Sequence, residues 1–96
     1  MKKISLEGFK ASLSGTRPPE DFTAQAEALW YAGRGNWEKA HQIVQDLEDP
    51  LSYRIHAFLH RQEGDHSNAR YWYNKAGAKM PEKSTDHEWD DIVSTM

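Results

Sequence analysis

The sequence predicts an all-α fold made of two antiparallel helix-turn-helix hairpins followed by a C-terminal capping helix. Three observations carry this expectation. Phe22, Ala26, Leu29 and Trp30 recur at helical spacing, as do Leu51, Ile55, Phe58 and Leu59, and no stretch sustains a two-residue alternation. Glycine and proline stand where such helices must end. A shift of 29 positions lays Phe22 on Leu51, Thr23 on Ser52, Ala28 on Ala57, Leu29 on Phe58, Gly35 on Gly64, Asn36 on Asp65 and Ala40 on Ala69. Apolar type, small residues and turn chemistry stay in step, so one hairpin is read as used twice, over 21–48 and 50–77.

The elements follow in order. Residues 4–13 suit a short, weak helix and Gly15 to Pro19 a linker, which sets residues 1–19 apart as an N-terminal extension and leaves 20–96 as a single helical-repeat domain. Gly33-Arg34-Gly35 separates the first long helix from a second with the stripe Trp37, Ala40, Val44 and Leu47. Asp49-Pro50 offers an N-cap with proline at the first helical position, and Gly64-Asp65 a turn followed by a cap. Ala69, Trp72, Tyr73 and Ala76 form the fourth stripe, closed by Gly77. The last helix is expected to start at Thr85, which has capping-box spacing to Glu88 ahead of Trp89, Ile92, Val93 and Met96. Two hairpins are fewer than a solenoid needs, so the Trp89 helix should act as a cap, and a homodimer would bury more.

Composition narrows the function classes. A chain of 96 residues buries only about two-thirds of its unfolded surface, so four Trp, four Tyr and three Phe are structural first. With no Cys, disulfide scaffolds, thiolate metal sites and cysteine nucleophiles are excluded. No apolar run approaches the ~20 residues of a bilayer span and no signal-like stretch follows Met1, so a cytoplasmic location without membrane contact is expected. The net charge of −3 hides alternating blocks. Basic residues outnumber acidic ones in 1–19 and 51–81, and the reverse holds in 20–49 and 82–96. The basic block of Arg54, Arg61, Arg70, Lys75 and Lys79 lacks the excess of a phosphate-binding face, so no nucleic acid is expected.

The second hairpin resembles a tetratricopeptide repeat. Counting from Pro50, Ala57, Gly64, Ala69, Tyr73, Ala76 and Pro81 fall at that repeat's small helix-A residue, turn glycine, helix-B alanine, aromatic, second alanine and closing proline. The first hairpin matches through Ala28, Tyr31, Gly35 and Ala40. The sequence departs from the repeat in its period of 29, against the usual ~34, and in Tyr53, His56 and His60 of the second hairpin, which stand where large apolar or aromatic residues are usual. The resemblance implies a groove in which Arg54 and Arg61, beside Phe58, clamp a peptide carboxylate. The blocks IHAFLHRQEGD (55–65) and NARYWYNKAG (68–77) also resemble short bacterial proteins, a resemblance that implies no reaction, cofactor or substrate.

The polar residues worth testing are few. His56 and His60 are four apart on one helical face with Glu63 a turn further, which is metal-ligand spacing. They sit about 80–140° off the apolar stripe at roughly 100° per residue, hence beside the core. Across the Asp49 turn His41 comes level with His56, and across the next turn Trp72 and Tyr73 do, so the geometry allows a layer of His41, His56 and Tyr73. Such histidines more often cap carbonyls or stack on aromatics than bind zinc. Trp72 and Tyr73 point inward and Tyr71 outward, where it suits an interface. The acids Asp86, Glu88, Asp90 and Asp91 are explained by a helix N-terminus. No catalytic set emerges. The expected role is a protein-interaction or assembly module using Arg54, Phe58, Arg61 and Tyr71. The alternative is a small ligand- or metal-binding protein using His41, His56, His60 and Glu63, with zinc as the one cofactor considered.

Overall fold

The structure is a computed structural model and describes residues 5–96. It is all-helical, with six helices and no strand among the described residues. These are α1 (Leu6–Ser12), α2 (Ala24–Gly33), α3 (Trp37–Val44), α4 (Pro50–Gln62), α5 (His66–Ala76) and α6 (Thr85–Ser94). Neighbours in sequence pack together, α2 against α3 and α4 against α5, and α4 also touches α2, α3 and α6.

Local chemistry sets the ends. Every helix has a Ser, Thr, Asn or Asp N-cap whose side chain accepts from a backbone N–H in the first turn. Pro50 occupies the first turn of α4, where its missing N–H costs nothing. The turns into α3 and α5 are built alike, with Gly35 and Gly64 in the left-handed region (φ 79° and 86°) just before the caps Asn36 and Asp65. A side chain there would be strained, which is why glycine fits both. Gly77 closes α5 in the same way at φ 72°.

The last helix starts at Thr85 as expected, but its cap differs by one residue. Ser84, and not Thr85, is its N-cap, with Ser84 Oγ accepting from the His87 amide. Glu88 therefore falls beyond the capping-box position, on the side of α6 that carries Ile92 four residues on, and turns inward.

One core joins α1, α2, α3, α4 and α6 through Phe9, Leu29, Trp30, Val44, Ile55, Phe58, Leu59, Trp89, Ile92 and Val93. A smaller cluster of Ala57, Ala69 and Tyr73 lies between α4 and α5. From the segment set apart as an extension, Leu6, Phe9 and Leu13 pack into the main core, while residues 1–4 lie outside the described residues. Phe9 is fully buried, stacks on Phe22 at 4.9 Å and meets Trp89 edge-on at 5.4 Å. Trp30 Nε1 donates to the Ser12 carbonyl, and Arg34 donates to those of Leu13 and Gly15. The short helix expected over 4–13 is present, and Leu6, Phe9 and Leu13 fall at helical spacing on its core side, but a stripe this short did not reveal that Phe9 anchors the main core.

Phe9→Ala is expected to lower unfolding stability by about 3 kcal/mol or more, the range for emptying a buried aromatic site. A urea midpoint unchanged from wild type would show that α1 is not part of the cooperative unit.

Candidate functional site

Three imidazoles converge on one flank of α4. His56 and His60 lie one turn apart on that helix, and His41 reaches across from α3. His41 Nε2 and His56 Nε2 are 3.1 Å apart, one donating to the other, with the rings edge-to-face at 4.8 Å. The His60 ring lies over that of His56 at 4.8 Å and meets His41 at 5.3 Å. One ligand nitrogen from each of the three lies within 4.8 Å of the others.

The cluster is deeper than its angle from the apolar stripe indicated. His56 is 5% and His60 7% exposed. The reason is that α4 is enclosed from several sides, so Ile55 to His60 are buried without a break and no solvent face remains along that run. Two tryptophans hold the rings in place. Trp37 stacks on His41 at 4.8 Å, and its Nε1 donates to the Leu59 carbonyl at 2.7 Å. From α5, Trp72 stacks on His56 at 3.9 Å with planes 14° apart.

Hydrogen bonds assign the His60 tautomer. Its Nδ1 lies 2.6 Å from Glu63 Oε2, a carboxylate that can only accept, so the proton sits on Nδ1. In the neutral ring the lone pair is then on Nε2, which faces the Asn68 Nδ2 donor at 3.4 Å. Electrostatics keep the other two imidazoles neutral. Burial, together with the nearby His41 and His60, holds His56 down to about 4, against an ordinary 6.5. Burial and then His60 lower His41 as well, partly offset by the Glu63 charge. At neutral pH both are therefore neutral imidazoles, each with one lone-pair nitrogen.

Tyr73 does not join this layer, and His60 takes the place expected for it. The Tyr73 hydroxyl donates instead to Glu88 Oε2 at 2.6 Å, while Arg61 Nη1 donates to Glu88 Oε1 at 2.9 Å. Arg61 also donates to the Lys83 carbonyl. Glu88 is 0% exposed, so its charge is neutralised and hydrogen-bonded within the protein. Burial, then the Glu88 hydrogen bond and charge, push the Tyr73 phenol up and keep it a donor.

This rearranges the residues expected to line a groove. Phe58 is a core residue with no exposed surface, because its side of α4 faces the main core. Arg61 is committed to Glu88 and has little exposed surface. Arg54 is half-buried, and only Tyr71 is fully at the surface. Of the residues proposed as metal ligands, His41, His56 and His60 come together, whereas Glu63 stands behind His60. The sequence reading missed Glu88, Asn68 and the clamping role of Trp37 and Trp72. A signal existed for Glu88, which lies four residues before Ile92 and next to Trp89, hence on the inner side of α6.

No protein-family model, curated protein or solved structure matches the chain.

Two outcomes follow. Because His56 titrates near 4 when folded and near 6.5 when unfolded, the unfolded chain binds more protons between those values and stability rises with pH. The metal-free protein should hold its full stability above pH 6.5 and lose on the order of 3 kcal/mol as pH falls through 4. His41 acts in the same direction. In denaturant titrations at stepped pH, His56→Leu should flatten this slope, and an equally steep slope in the variant would contradict the assignment. Arg61→Met should cost about 3–5 kcal/mol by leaving Glu88 buried and unpaired, readable as a fall in melting temperature, and a neutral result would contradict the network.

Proposed function

We propose that the chain is a small helical domain that binds a divalent transition-metal ion through His41, His56 and His60. One observation carries this reading: ligand nitrogens from two helices lie within 4.8 Å of one another. Two imidazole nitrogens on one tetrahedral zinc, each at about 2.0–2.1 Å, sit roughly 3.3 Å apart. His41 and His56 are already 3.1 Å apart. The His60 ligand nitrogen lies within 4.8 Å of both, so a shift of about 1.5 Å or less would complete a face of three nitrogens.

The surroundings support the same reading. Metal-bound histidines characteristically donate their second ring N–H to a carboxylate, which fixes the tautomer and raises ligand basicity. Glu63 does this to His60, so its role is that of a positioning residue rather than a fourth ligand. An all-imidazole set favours zinc, copper or nickel over magnesium or calcium. Three protein nitrogens leave one coordination position for water or an outside group.

The protein-interaction reading rests on a different feature. Tyr71, at 55% exposure, is the exposed large hydrophobic among the described residues and suits a docking surface.

Calorimetric titration of chelator-treated protein with zinc or cobalt tests the metal reading. One ion per chain should bind, and at a hundredfold excess over Kd it should add about 2.7 kcal/mol of stability. His60→Ala should erase the effect, Glu63→Gln should weaken affinity by about 10–100-fold, and changing the exposed His66 to Ala should leave it intact. If zinc, cobalt, nickel and copper all leave the melting temperature unmoved, the reading fails.

A further inference from the structure

Lys75 on α5 makes no ion pair with a carboxylate among the described residues. Its ammonium lies instead among three aromatic rings. Nζ is 4.9 Å from the centroid of Tyr53, 5.1 Å from that of Trp72 and 5.7 Å from that of Tyr71. All are within the ~6 Å at which a ring quadrupole attracts a cation. Tyr71 and Trp72 stand perpendicular, at 89° and 5.2 Å, and Tyr53 tilts 35° from Trp72 at 5.7 Å.

Helical spacing places two of these walls. Trp72 and Tyr71 lie three and four residues before Lys75, within reach of a side chain that folds back toward the start of its helix. The third wall, Tyr53, comes from α4 and is brought there by packing. One wall is firmly held, since His56 stacks on the Trp72 indole at 3.9 Å. Tyr71 and Lys75 are exposed, so the site opens to solvent.

We propose that Tyr53, Tyr71 and Trp72 form a binding cage for a trimethylammonium group, with Lys75 as the tethered cation that such a ligand displaces. The chemistry favours the exchange. A primary ammonium is strongly hydrated and carries three N–H donors. The rings give those donors no acceptor. A trimethylammonium group has no N–H to satisfy and presents apolar methyls to the ring faces while keeping its charge. Lys75 is then a built-in competitor whose tether gives it a high local concentration. The same head group occurs on choline-type small molecules and on trimethylated lysine side chains.

The decisive experiment compares wild type with Lys75→Ala in chelator, so that metal plays no part. Tetramethylammonium, choline and a trimethyllysine peptide are each titrated at fixed ionic strength, following tryptophan fluorescence and amide NMR shifts. Lys75→Ala should bind tetramethylammonium saturably and about tenfold more tightly than wild type, because the tethered competitor is gone. Adding Tyr71→Ala should weaken that binding about threefold or more. The uncharged tert-butyl analogue of choline should not bind. Tighter binding of choline than of the peptide assigns a small-molecule ligand, and the reverse order a modified protein. Circular dichroism checks the fold, and both altered positions are exposed. The proposal is overturned if Lys75→Ala shows no saturable binding, if the uncharged analogue binds as well, or if Tyr71→Ala changes nothing.

Discussion

The enclosure of α4 is the constraint on which the rest of the structure depends. A helix covered along Ile55 to His60 has no flank on which a polar side chain can reach water. Its imidazoles must find partners inside, and neutral imidazole is one of the few polar groups that can serve as donor on one nitrogen and acceptor on the other. His56 is satisfied by His41, and His60 by Glu63 and Asn68. Those pairings fix ring orientations, and Trp37 and Trp72 close against them. The apolar side of the same helix, through Ile55, Phe58 and Leu59, holds the main core together. Chemistry and stability thus rest on opposite flanks of one helix.

The far end of α4 meets a second version of the same problem. Arg61 extends beyond the buried run toward α6, and the carboxylate it meets has no exposure. A buried ion pair is weak support for stability, since desolvation of both charges offsets most of their attraction. It is strong support for specificity, because any register of α6 that moves Glu88 leaves a charge unpaired. Tyr73 adds a hydrogen bond from α5. The C-terminal helix is therefore located by a three-way contact with α4 and α5 as well as by Trp89, whose Nε1 donates to the Leu29 carbonyl.

What could be read from the sequence was local, and what could not depended on how many sides of an element are covered. The caps at Asp49 and Asp65 and the glycines at 35, 64 and 77 were legible because each acts within one turn of its own position; the cap at Asn36 was legible only through its alignment with Asp65. At α6 two adjacent hydroxyl residues competed for the cap. Choosing Thr85 over Ser84 assigned Glu88 to the capping box and hid its burial. The histidines show the limit of periodicity more clearly. Their angle from the apolar stripe placed them at the core edge, which would hold for a helix packed on one side only. The spacing of His56 and His60 was legible and so was the level of His41, but the replacement of Tyr73 by His60 was not. It depends on Glu88, an acid 15 residues further along.

Trp72 links the two proposed sites. One contact is with the neutral His56 ring and another with the ammonium of Lys75. If His56 took a proton, a second positive charge would be added beside the indole and close to the cation already held there, and the burial and neighbouring histidines that lower His56 oppose that step. Under the two proposals, the same neutrality that would leave His56 a lone pair for a metal would leave Trp72 free to act as a cation-binding wall. A hydrocarbon at position 56 would fill the space without the pH-dependent cost, yet it would provide no ligand nitrogen. Burying an imidazole there lowers the stability of the metal-free domain in acid in exchange for a nitrogen aimed at His41, and an ion that binds only the folded state offsets that loss by mass action.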